Sequence, residues 1–577
     1  MRVWRADLAV PFEYSGDATY MLMALKGILE HGWYDVNPSL GAPFGQELYD
    51  YPFLNGENLN VVAVKILGLF STDHPAVVLN VFFLLTFPLV ALSAFLVLRR
   101  LRVSRETALV ISVLYSLLPY HFLRGEAHLF LSAYYSVPVA CLLVLAVYGD
   151  ERLFARRPGV RGLAALASRR TLATLTLCVL VGSAGVYYAV FALVLLASGA
   201  VLATLAGESR RPLWTGAGVS ALIVGTLLVH YSSTLVHLVA DGANPEITRT
   251  GAETERYSLR LIQLLLPVSD HRLAPLAELK QSYEQTLAPT ESSWATLGLV
   301  GSVGFVVLVA IAIASITAPG RVVASPLLRH ASAATVIAFL VATTGGMAAV
   351  VAYFVTPWLH GWNRISTFIA FFSLLAVALG LDRLRGRLGK GGRLAWPAVL
   401  GGVLLVGALD QTTDGFIRPY GAVAGDYRSD REFIRRIERR LPAEASVFQL
   451  PHVPFPELEY VGRRLDYDSA KAYVHSDRLR WSYGAMRGRP ADWPVRPETS
   501  RFVCSRPRSW RPGSTGSSSI ASPIPTTLEH SRASCAACST RGLTRVRTGV
   551  SRSSMRAATP GSSRRIILHR HWLRCER

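Results

Sequence analysis

Two stretches beside apolar segments carry side chains that could do chemistry. In the first, Asp17 follows Gly16 at the head of an amphipathic helix, within "FEYSGDATYMLMALKGILEHGW". A carboxylate at that position is an ordinary helix N-cap. Held at the outer surface of a membrane, the same carboxylate could be the general base for a reaction on a lipid-linked substrate. The residues alone leave both interpretations open.

The second stretch, "YHFLRGEAHLFLSAYYSVP", lies in a short turn between two apolar segments. It places His121, Arg124, Glu126 and His128 within eight residues. Unpaired charge is expensive at membrane depth, so such groups face a cavity or one another. Glu126 and His128 could hold a divalent metal ion together with Asp17, and Arg124 and His128 are candidate substrate contacts. The structural alternative is that Arg124 simply pairs with Glu126.

Two further side chains are candidates for binding substrate. Arg364, in "HGWNRISTF", opens an apolar segment, where it could grip a phosphate bidentately or anchor the helix by snorkelling. Asp50, in "GQELYDYP", is the other. We find no Gly-rich phosphate loop, no Ser-His-Asp signature and no HExxH motif in the sequence.

These side chains sit in a chain of membrane type. Of its 577 residues, 51% are hydrophobic and 17% are charged, which is too apolar for an ordinary soluble domain. Runs long enough to cross ~30 Å of hydrocarbon recur along the sequence. We predict an all-α polytopic membrane protein, in which 171–206 is a helix pair broken near Tyr187 and Tyr188. The ten predicted spans cover about 76–100, 107–123, 127–148, 171–186, 187–206, 213–236, 293–316, 332–355, 361–383 and 396–409.

Lys and Arg gather in every second connection between the spans. Examples are Arg99 after the first span and Arg211 before the sixth. Because cytoplasmic loops carry the positive excess, loops 1–75 and 237–292, and everything after 409, are predicted to lie outside. The sequence therefore predicts a multi-pass protein of the bacterial plasma membrane with an extracytoplasmic active face.

The outer parts have their own elements. Loop 1–75 contains two amphipathic segments that we expect to lie in the headgroup plane, with apolar faces at Leu22, Leu25, Ile28 and Leu29 and at Leu59, Val62, Ile66 and Leu69. In loop 237–292, "LIQLLLP" is apolar enough to dip into the interface. Residues 410–500 are predicted to form a small, incomplete α/β unit with a helix in "SDREFIRRIERRLP" and a strand in "SVFQLP".

Residues 501–577 differ in character from the rest. They hold fifteen Arg and two Glu, without Lys or Asp, and so carry thirteen of the +21 net charges. They could be a basic disordered tail that binds acidic lipid or nucleic acid, a metal or redox half-site at Cys535 and Cys538, or a frameshift product of GC-rich DNA. We favour the frameshift, and a helix missing before Met1, which would bring the spans to eleven. Since the membrane part is only modestly basic, we expect no nucleic-acid partner.

These features together resemble the GT-C class of integral membrane glycosyltransferases. The shared features are an outer first loop with Gly-Asp entering a helix, a second short helix, an acidic short second outer loop, many spans and an outer C-terminal unit. More closely, "GDATYMLMALKGILEHGWYDVNPSLGAPFGQELYDYP", "ERYSLRLIQLLLPVSDHR", "WNRIS" and "VFQLPHVPFPE" resemble a group of large actinobacterial membrane proteins. This likeness spans roughly residues 5–494.

The resemblance implies a function and roles for particular residues. The donor would be a polyprenyl-phosphate-linked sugar, Asp17 would act as base or metal ligand, and Glu126 would match the second acidic position of some members. This chain has "RGEAH" where those members carry two acids. By position, Arg364 would be the phosphate ligand.

The function expected on this basis is transfer of a sugar to an extracytoplasmic lipid, glycan or protein of the cell envelope. One alternative is a transporter or flippase of lipid-linked glycans, which should show charges at mid-membrane and internal repeats. The other is a non-catalytic or damaged membrane assembly protein.

Overall fold

The computed structural model describes residues 1–71, 74–162, 164, 167–207, 209–286, 291–318, 324–389, 392, 394–457 and 466–492. They belong to one compact unit. The tail at 501–577, with Cys535 and Cys538, lies outside the described residues.

Helices make up most of the described chain. In chain order they are α1 (Asp17–His31), α2 (Asn58–Gly68), α3 (Pro75–Arg100), α4 (Arg105–Ser116), α5 (Pro119–Arg124), α6 (Leu129–Ser132), α7 (Ser136–Tyr148), α8 (Arg169–Ser183), α9 (Val186–Ala206), α10 (Arg211–His230), α11 (Ser232–Asp241), α12 (Gly251–Arg256), α13 (Leu261–Leu265), α14 (Ala274–Thr286), α15 (Gly298–Thr317), α16 (Pro326–Ala342), α17 (Met347–Phe354), α18 (Ser366–Arg387), α19 (Trp396–Gln411), α20 (Tyr420–Glu438) and α21 (Lys471–Val474). Single 3-10 turns lie at Val3–Arg5, Glu291–Ala295, Trp362–Ile365, Asp414–Phe416 and Asp468–Ala470.

Among the described residues, six helical segments are long and apolar enough to cross a membrane. These are Pro75–Arg100, Arg105–Arg124, Val186–Ala206, Arg211–His230, Gly298–Thr317 and Trp362–Arg387. Shorter apolar helices are Asn58–Gly68, Ser136–Tyr148, Pro326–Ala342 and Trp396–Gln411. Each of the ten predicted spans overlaps one or more helices, although 332–355 and 127–148 are each divided between two helices. The predicted break within 171–206 is present, because α8 ends at Ser183 and α9 begins at Val186. The polytopic all-α class is confirmed.

The long helices pack closely where small residues face a neighbouring backbone. A Cβ atom at Gly304 would lie 2.0 Å from the Ser373 carbonyl oxygen, so the glycine lets α15 and α18 touch. Tyr188, Phe368 and Tyr115 belong to the buried cluster that fills the space between the helices. This packed bundle holds the ends of the helices at fixed positions, and those ends carry the candidate site.

Helix α1 is buried, which differs from the expected position in the headgroup plane. Residues from Ala18 to Ile28 are all buried, including the predicted lipid-facing Leu22 and Leu25. The cause is the C-terminal part of the chain, which covers this face. Lys26 Nζ donates hydrogen bonds to the backbone oxygens of Tyr473, at 2.8 Å, and Ser476. By contrast, the predicted apolar face of α2 is exposed.

Short strands join the first loop to the C-terminal part. Strands β1 (Val36–Asn37) and β2 (Gln46–Glu47) pair antiparallel, and β3 (Ser446–Val447) and β4 (Arg480–Trp481) pair parallel. The Ala42 N–H donates to the Trp481 oxygen at 2.9 Å, and the Trp481 N–H donates to the Ser39 oxygen at 2.9 Å. The helix and strand expected in 410–500 are therefore present, and they share a hydrophobic core with loop 1–75.

Candidate functional site

Asp17 is the first residue of α1 and does not cap it. The N-cap is Gly16, whose φ of 52° and ψ of −134° suit glycine, so the N-cap interpretation of Asp17 is wrong. The Asp17 side chain stays 46% exposed, and its Oδ2 lies 3.6 Å from His128 Nε2. Partial burial of the Asp17 carboxyl, together with the negative charges of Glu457 and Glu291, raises the pKa of Asp17 to about 6. A carboxylate with this pKa can accept a proton near neutral pH.

Arg124 ends α5 and is completely buried. Its Nη1 lies 2.8 Å from Glu291 Oε2, and its Nη2 donates a 3.1 Å hydrogen bond to Asn363 Oδ1. The guanidinium also lies over the rings of Trp294, at 4.7 Å, and Tyr120, at 5.1 Å. The structural alternative, a pair between Arg124 and Glu126, is not formed, because Glu291 approaches Arg124 from the end of loop 237–292.

Arg364 lies beside this ion pair, at the start of the segment that continues into α18. It is 6% exposed, and its guanidinium lies 4.1 Å above the ring of Tyr187. Gly361 makes the position possible, since a Cβ atom there would lie 2.1 Å from Arg364 Nη1. The buried head group of Arg364 rules out snorkelling to water.

His128 joins the basic side chains to Asp17. Its ring packs edge-on at 6.1 Å from Trp294, and its Nδ1 is buried without a hydrogen-bond partner. Burial and the charge of Arg124 lower the pKa of His128 to about 3. The imidazole is therefore neutral at physiological pH and carries one N–H.

Among the described residues, Glu291 is the one carboxylate at ion-pair distance from either buried guanidinium. Burial alone would raise the pKa of Glu291, but the charges of Arg124 and Arg364 lower it to about 2, so the carboxylate is ionised. Two buried guanidiniums thus face one carboxylate. The nitrogens Arg124 Nε, Arg364 Nε and Asn363 Nδ2 have no hydrogen-bond partner within the described structure. Buried donors of this kind favour an anion.

Glu126 has a different environment from Asp17. It is buried, and its Oε2 accepts a 3.0 Å hydrogen bond from the backbone N–H of Glu13. Burial raises the pKa of the Glu126 carboxyl well above its usual range. Glu126 fastens the N-terminal loop to the turn, whereas Asp17 contacts His128.

The expected divalent metal ion does not find a ligand set in the described residues. Asp17 and His128 are neighbours, but the Glu126 carboxyl points to the backbone of Glu13. Nowhere in the described ranges do three His, Cys, Asp or Glu side chains gather as ligands would. The donor set therefore does not fit the ion that the sequence suggested.

Asp50 lies in a separate cluster that joins three parts of the chain. Both its oxygens accept hydrogen bonds from Arg489, at 2.6 Å each, and Oδ2 accepts a third from Asn244 at 3.2 Å. Burial alone would raise the pKa of Asp50, but the hydrogen bonds from Arg489 and Asn244 outweigh it and lower the pKa. This is the arrangement of a structural ion pair, and it takes up the polar atoms that a substrate would need.

The described structure has an apolar groove of about 540 Å³ that shares loop 237–292 with the site. It is lined by Leu259, Arg260, Leu261, Ile262, Leu265, Tyr283, Thr343 and Thr344. The Arg260 N–H donates a 2.9 Å hydrogen bond to Ser292 Oγ, and Ser292 follows Glu291. The groove and the buried arginines are thus joined through adjacent residues of one loop.

Several site residues were not predicted from the sequence. Glu291 and Trp294 precede α15 in "ESSWATLG", and Tyr187 follows the break between α8 and α9. Asn363 shares "WNRIS" with Arg364. Their common signal is a polar or aromatic side chain immediately before a long apolar helix, a place where both water and hydrocarbon are near.

The site lies at the helix ends that are remote from the arginine-rich connections. Arg105 begins α4, and the same apolar segment ends at Arg124. Arg364 precedes α18, whose last turn holds Arg385 and Arg387. The candidate site and the arginine-rich ends therefore belong to opposite ends of the same segments.

No family model matches the chain, and no curated protein is similar to it in sequence. Among solved structures, ArnT from Cupriavidus metallidurans bound to undecaprenyl phosphate has a TM-score of 0.43 and 13% identity, over 82% of this chain and 83% of that one. The Archaeoglobus fulgidus oligosaccharyltransferase in the apo form has a TM-score of 0.39 and 14% identity, over 81% of this chain. AglB from the same archaeon, with an inhibitory peptide and a dolichol-phosphate, has a TM-score of 0.41 and 13% identity, over 83% of this chain. The chain spans 60% and 62% of these two archaeal proteins. At these scores the likeness is confined to the course of the chain.

Proposed function

We propose that the protein is a membrane glycosyltransferase that moves a sugar from a polyprenyl-phosphate donor to an acceptor outside the cytoplasm. The observation that carries the proposal is the buried pair Arg124 and Arg364, which faces one carboxylate and keeps donors free. Such a site suits the phosphate of a donor. The resemblance of the first outer loop, in which Gly16 and Asp17 enter a helix, to the GT-C class supports the same function.

The reaction that fits these residues is a displacement at the anomeric carbon of the sugar. An acceptor oxygen forms the new bond to that carbon, while the bond from the carbon to the phosphate oxygen breaks. The electron pair leaves on the phosphate, which gains one negative charge. Arg124 and Arg364 stabilise that charge from fixed positions, where little reorganisation is needed.

Asp17 receives the proton of the acceptor hydroxyl. Its pKa of about 6 keeps it ionised at neutral pH and makes it a stronger base than an exposed carboxylate. The Nε2 atom of the neutral His128 imidazole lies 3.6 Å from Asp17 Oδ2, beyond hydrogen-bond length, so a small approach would let its N–H orient the carboxylate. In the acid–base step, Asp17 takes the proton, and His128 is placed to orient it.

The apolar groove suits the hydrocarbon part of the same donor. Leu261, Ile262 and Leu265 present exposed apolar surface beside Ser292 and the arginine pair. An amphiphile could thus place its phosphate at Arg124 and its chain along the groove. The positive-inside rule puts the arginine-rich helix ends in the cytoplasm, which supports an extracytoplasmic site.

The test is sugar transfer by the purified full-length protein in proteoliposomes, with a panel of undecaprenyl-phosphate-linked sugars and envelope lipid or glycan acceptors. Asp17→Asn should lower transfer at least about a thousandfold while undecaprenyl phosphate still binds. Asp7→Asn is the matched control, since Asp7 is a carboxylate of the same loop that pairs with Arg428 at the surface. Full transfer by Asp17→Asn would remove Asp17 as the base. Movement of the lipid-linked sugar across the bilayer without transfer would instead favour a flippase.

A further inference from the structure

Glu291 is a negatively charged side chain in a site that would bind an anion, and its presence there requires an explanation. Its Oε2 lies 2.8 Å from Arg124 Nη1, its side chain is 18% exposed, and it is ionised. A carboxylate in this position weakens the attraction of both arginines for any phosphate. If phosphate affinity alone mattered, an apolar or amide side chain at this position would serve better.

The charges of donor and product supply the reason. The phosphate of the donor is a diester with one negative charge. After transfer the carrier is left with a phosphate monoester, whose second pKa is about 6 and which approaches two negative charges at neutral pH. Two uncompensated arginines would therefore hold the product more tightly than the donor, and release of the product would limit the rate.

We infer that Glu291 determines specificity between donor and product. It weakens the binding of polyprenyl phosphate, the carrier left after transfer, more than it weakens the binding of the donor, so that the carrier leaves the site. This rests on the proposed function. Repulsion between Glu291 and the ligand grows with ligand charge, so it acts about twice as strongly on the dianion as on the monoanion. Arg124 then has two partners in turn, the donor phosphate during transfer and Glu291 once the carrier has left.

The unpartnered atoms around the pair agree with such an exchange. Arg124 has Nε free of hydrogen bonds, and Asn363 has Nδ2 free, so a phosphate can be met without first breaking the Arg124–Asn363 bond. Stacking of Arg124 on Trp294 and Tyr120 fixes the guanidinium plane in both states. The exchange therefore needs a change of partner at Nη1 and little movement of the arginine.

The experiment compares two ligands of one shape and different charge, undecaprenyl phosphate and its monomethyl ester, binding to the full-length protein in nanodiscs. The Glu291→Gln substitution should lower the Kd for both ligands. The fold-decrease for undecaprenyl phosphate should be on the order of ten times the fold-decrease for the methyl ester. Glu291→Asp keeps the charge and should keep the wild-type ratio. In transfer assays, Glu291→Gln should show a burst, in which a first turnover is followed by a slower steady state that is limited by release of undecaprenyl phosphate.

Opposite outcomes separate this inference from the proposed function. If Glu291→Gln binds both ligands as the wild type does, or more weakly, Glu291 only positions Arg124 and the inference fails. If the variant does not fold, the wild-type protein gives an independent check. A wild-type preference of more than a hundredfold for undecaprenyl phosphate over its methyl ester would also overturn the inference about Glu291. If Arg364→Met leaves both affinities unchanged, the phosphate site itself, and with it the proposed function, is wrong.

Discussion

Replacing Arg364 by methionine should separate phosphate binding from stability. Methionine keeps much of the apolar volume over Tyr187 and removes the charge. In the described structure no carboxylate lies within ion-pair distance of Arg364, so the substitution removes only its longer-range attraction to Glu291. We therefore expect a melting temperature within about 2 °C of the wild type.

The effect on binding should be much larger. Two unit charges about 4 Å apart attract by roughly 4 kcal/mol at an effective dielectric constant of about 20. Arg124 and water recover part of that loss, which leaves about 2–3 kcal/mol. This corresponds to a Kd for undecaprenyl phosphate that is roughly 30- to 150-fold higher in Arg364→Met.

Binding can be followed by quenching of tryptophan fluorescence, because Trp294 and Trp362 lie at the site. Arg256→Met is the matched control, since Arg256 also lies over a tyrosine ring, that of Tyr257 at 5.7 Å, but is exposed and outside the site. It should leave the Kd unchanged. Equal affinity in Arg364→Met and wild type would refute the phosphate role. A large loss of melting temperature without loss of binding would show that Arg364 is structural.

Three further predictions concern the carboxylates. Because the pKa of Asp17 is raised to about 6 and the base must be ionised, the rate of transfer should rise with pH through about 6 and level off above it, and a flat profile from about pH 5 to 8 would contradict this. Glu126→Gln keeps an oxygen that can accept the Glu13 N–H and should stay within about twofold of wild-type transfer, so a loss beyond tenfold would restore Glu126 to catalysis. Asp50→Asn should lower the free energy of unfolding by about 2–3 kcal/mol in denaturant titrations, since Arg489 loses its bidentate partner, and an unchanged midpoint would argue against the ion pair.

The features predicted best from the sequence depend on residues that are close together along the chain. Hydrophobic length located helices in all ten predicted spans, and the break before Tyr187 follows from the glycine at 185. Of the three side chains proposed to hold a metal ion together, Asp17 and His128 are neighbours, whereas Glu126 bonds to the backbone of Glu13. Both stand at the edge of an apolar segment, where any charged group must find a partner or a cavity.

The features that were missed depend on contacts between distant parts of the chain. The sequence offered only the nearby Glu126 as a partner for Arg124, but the partner is Glu291, which lies at the end of loop 237–292. Periodicity placed α1 at a membrane surface because nothing local indicates that Tyr473 and its neighbours cover it. In each case a local pattern showed that a partner was needed without showing which one.

The central claim is that Arg124 and Arg364 hold a carrier phosphate next to Asp17. A cryo-EM structure of the full-length protein in nanodiscs with undecaprenyl phosphate tests it most directly. We predict density for the phosphate within hydrogen-bond distance of both guanidiniums, with the polyprenyl chain along Leu261 and Ile262. A phosphate bound elsewhere, with the Arg124–Glu291 pair undisturbed and no density between Arg124 and Arg364, would contradict the claim.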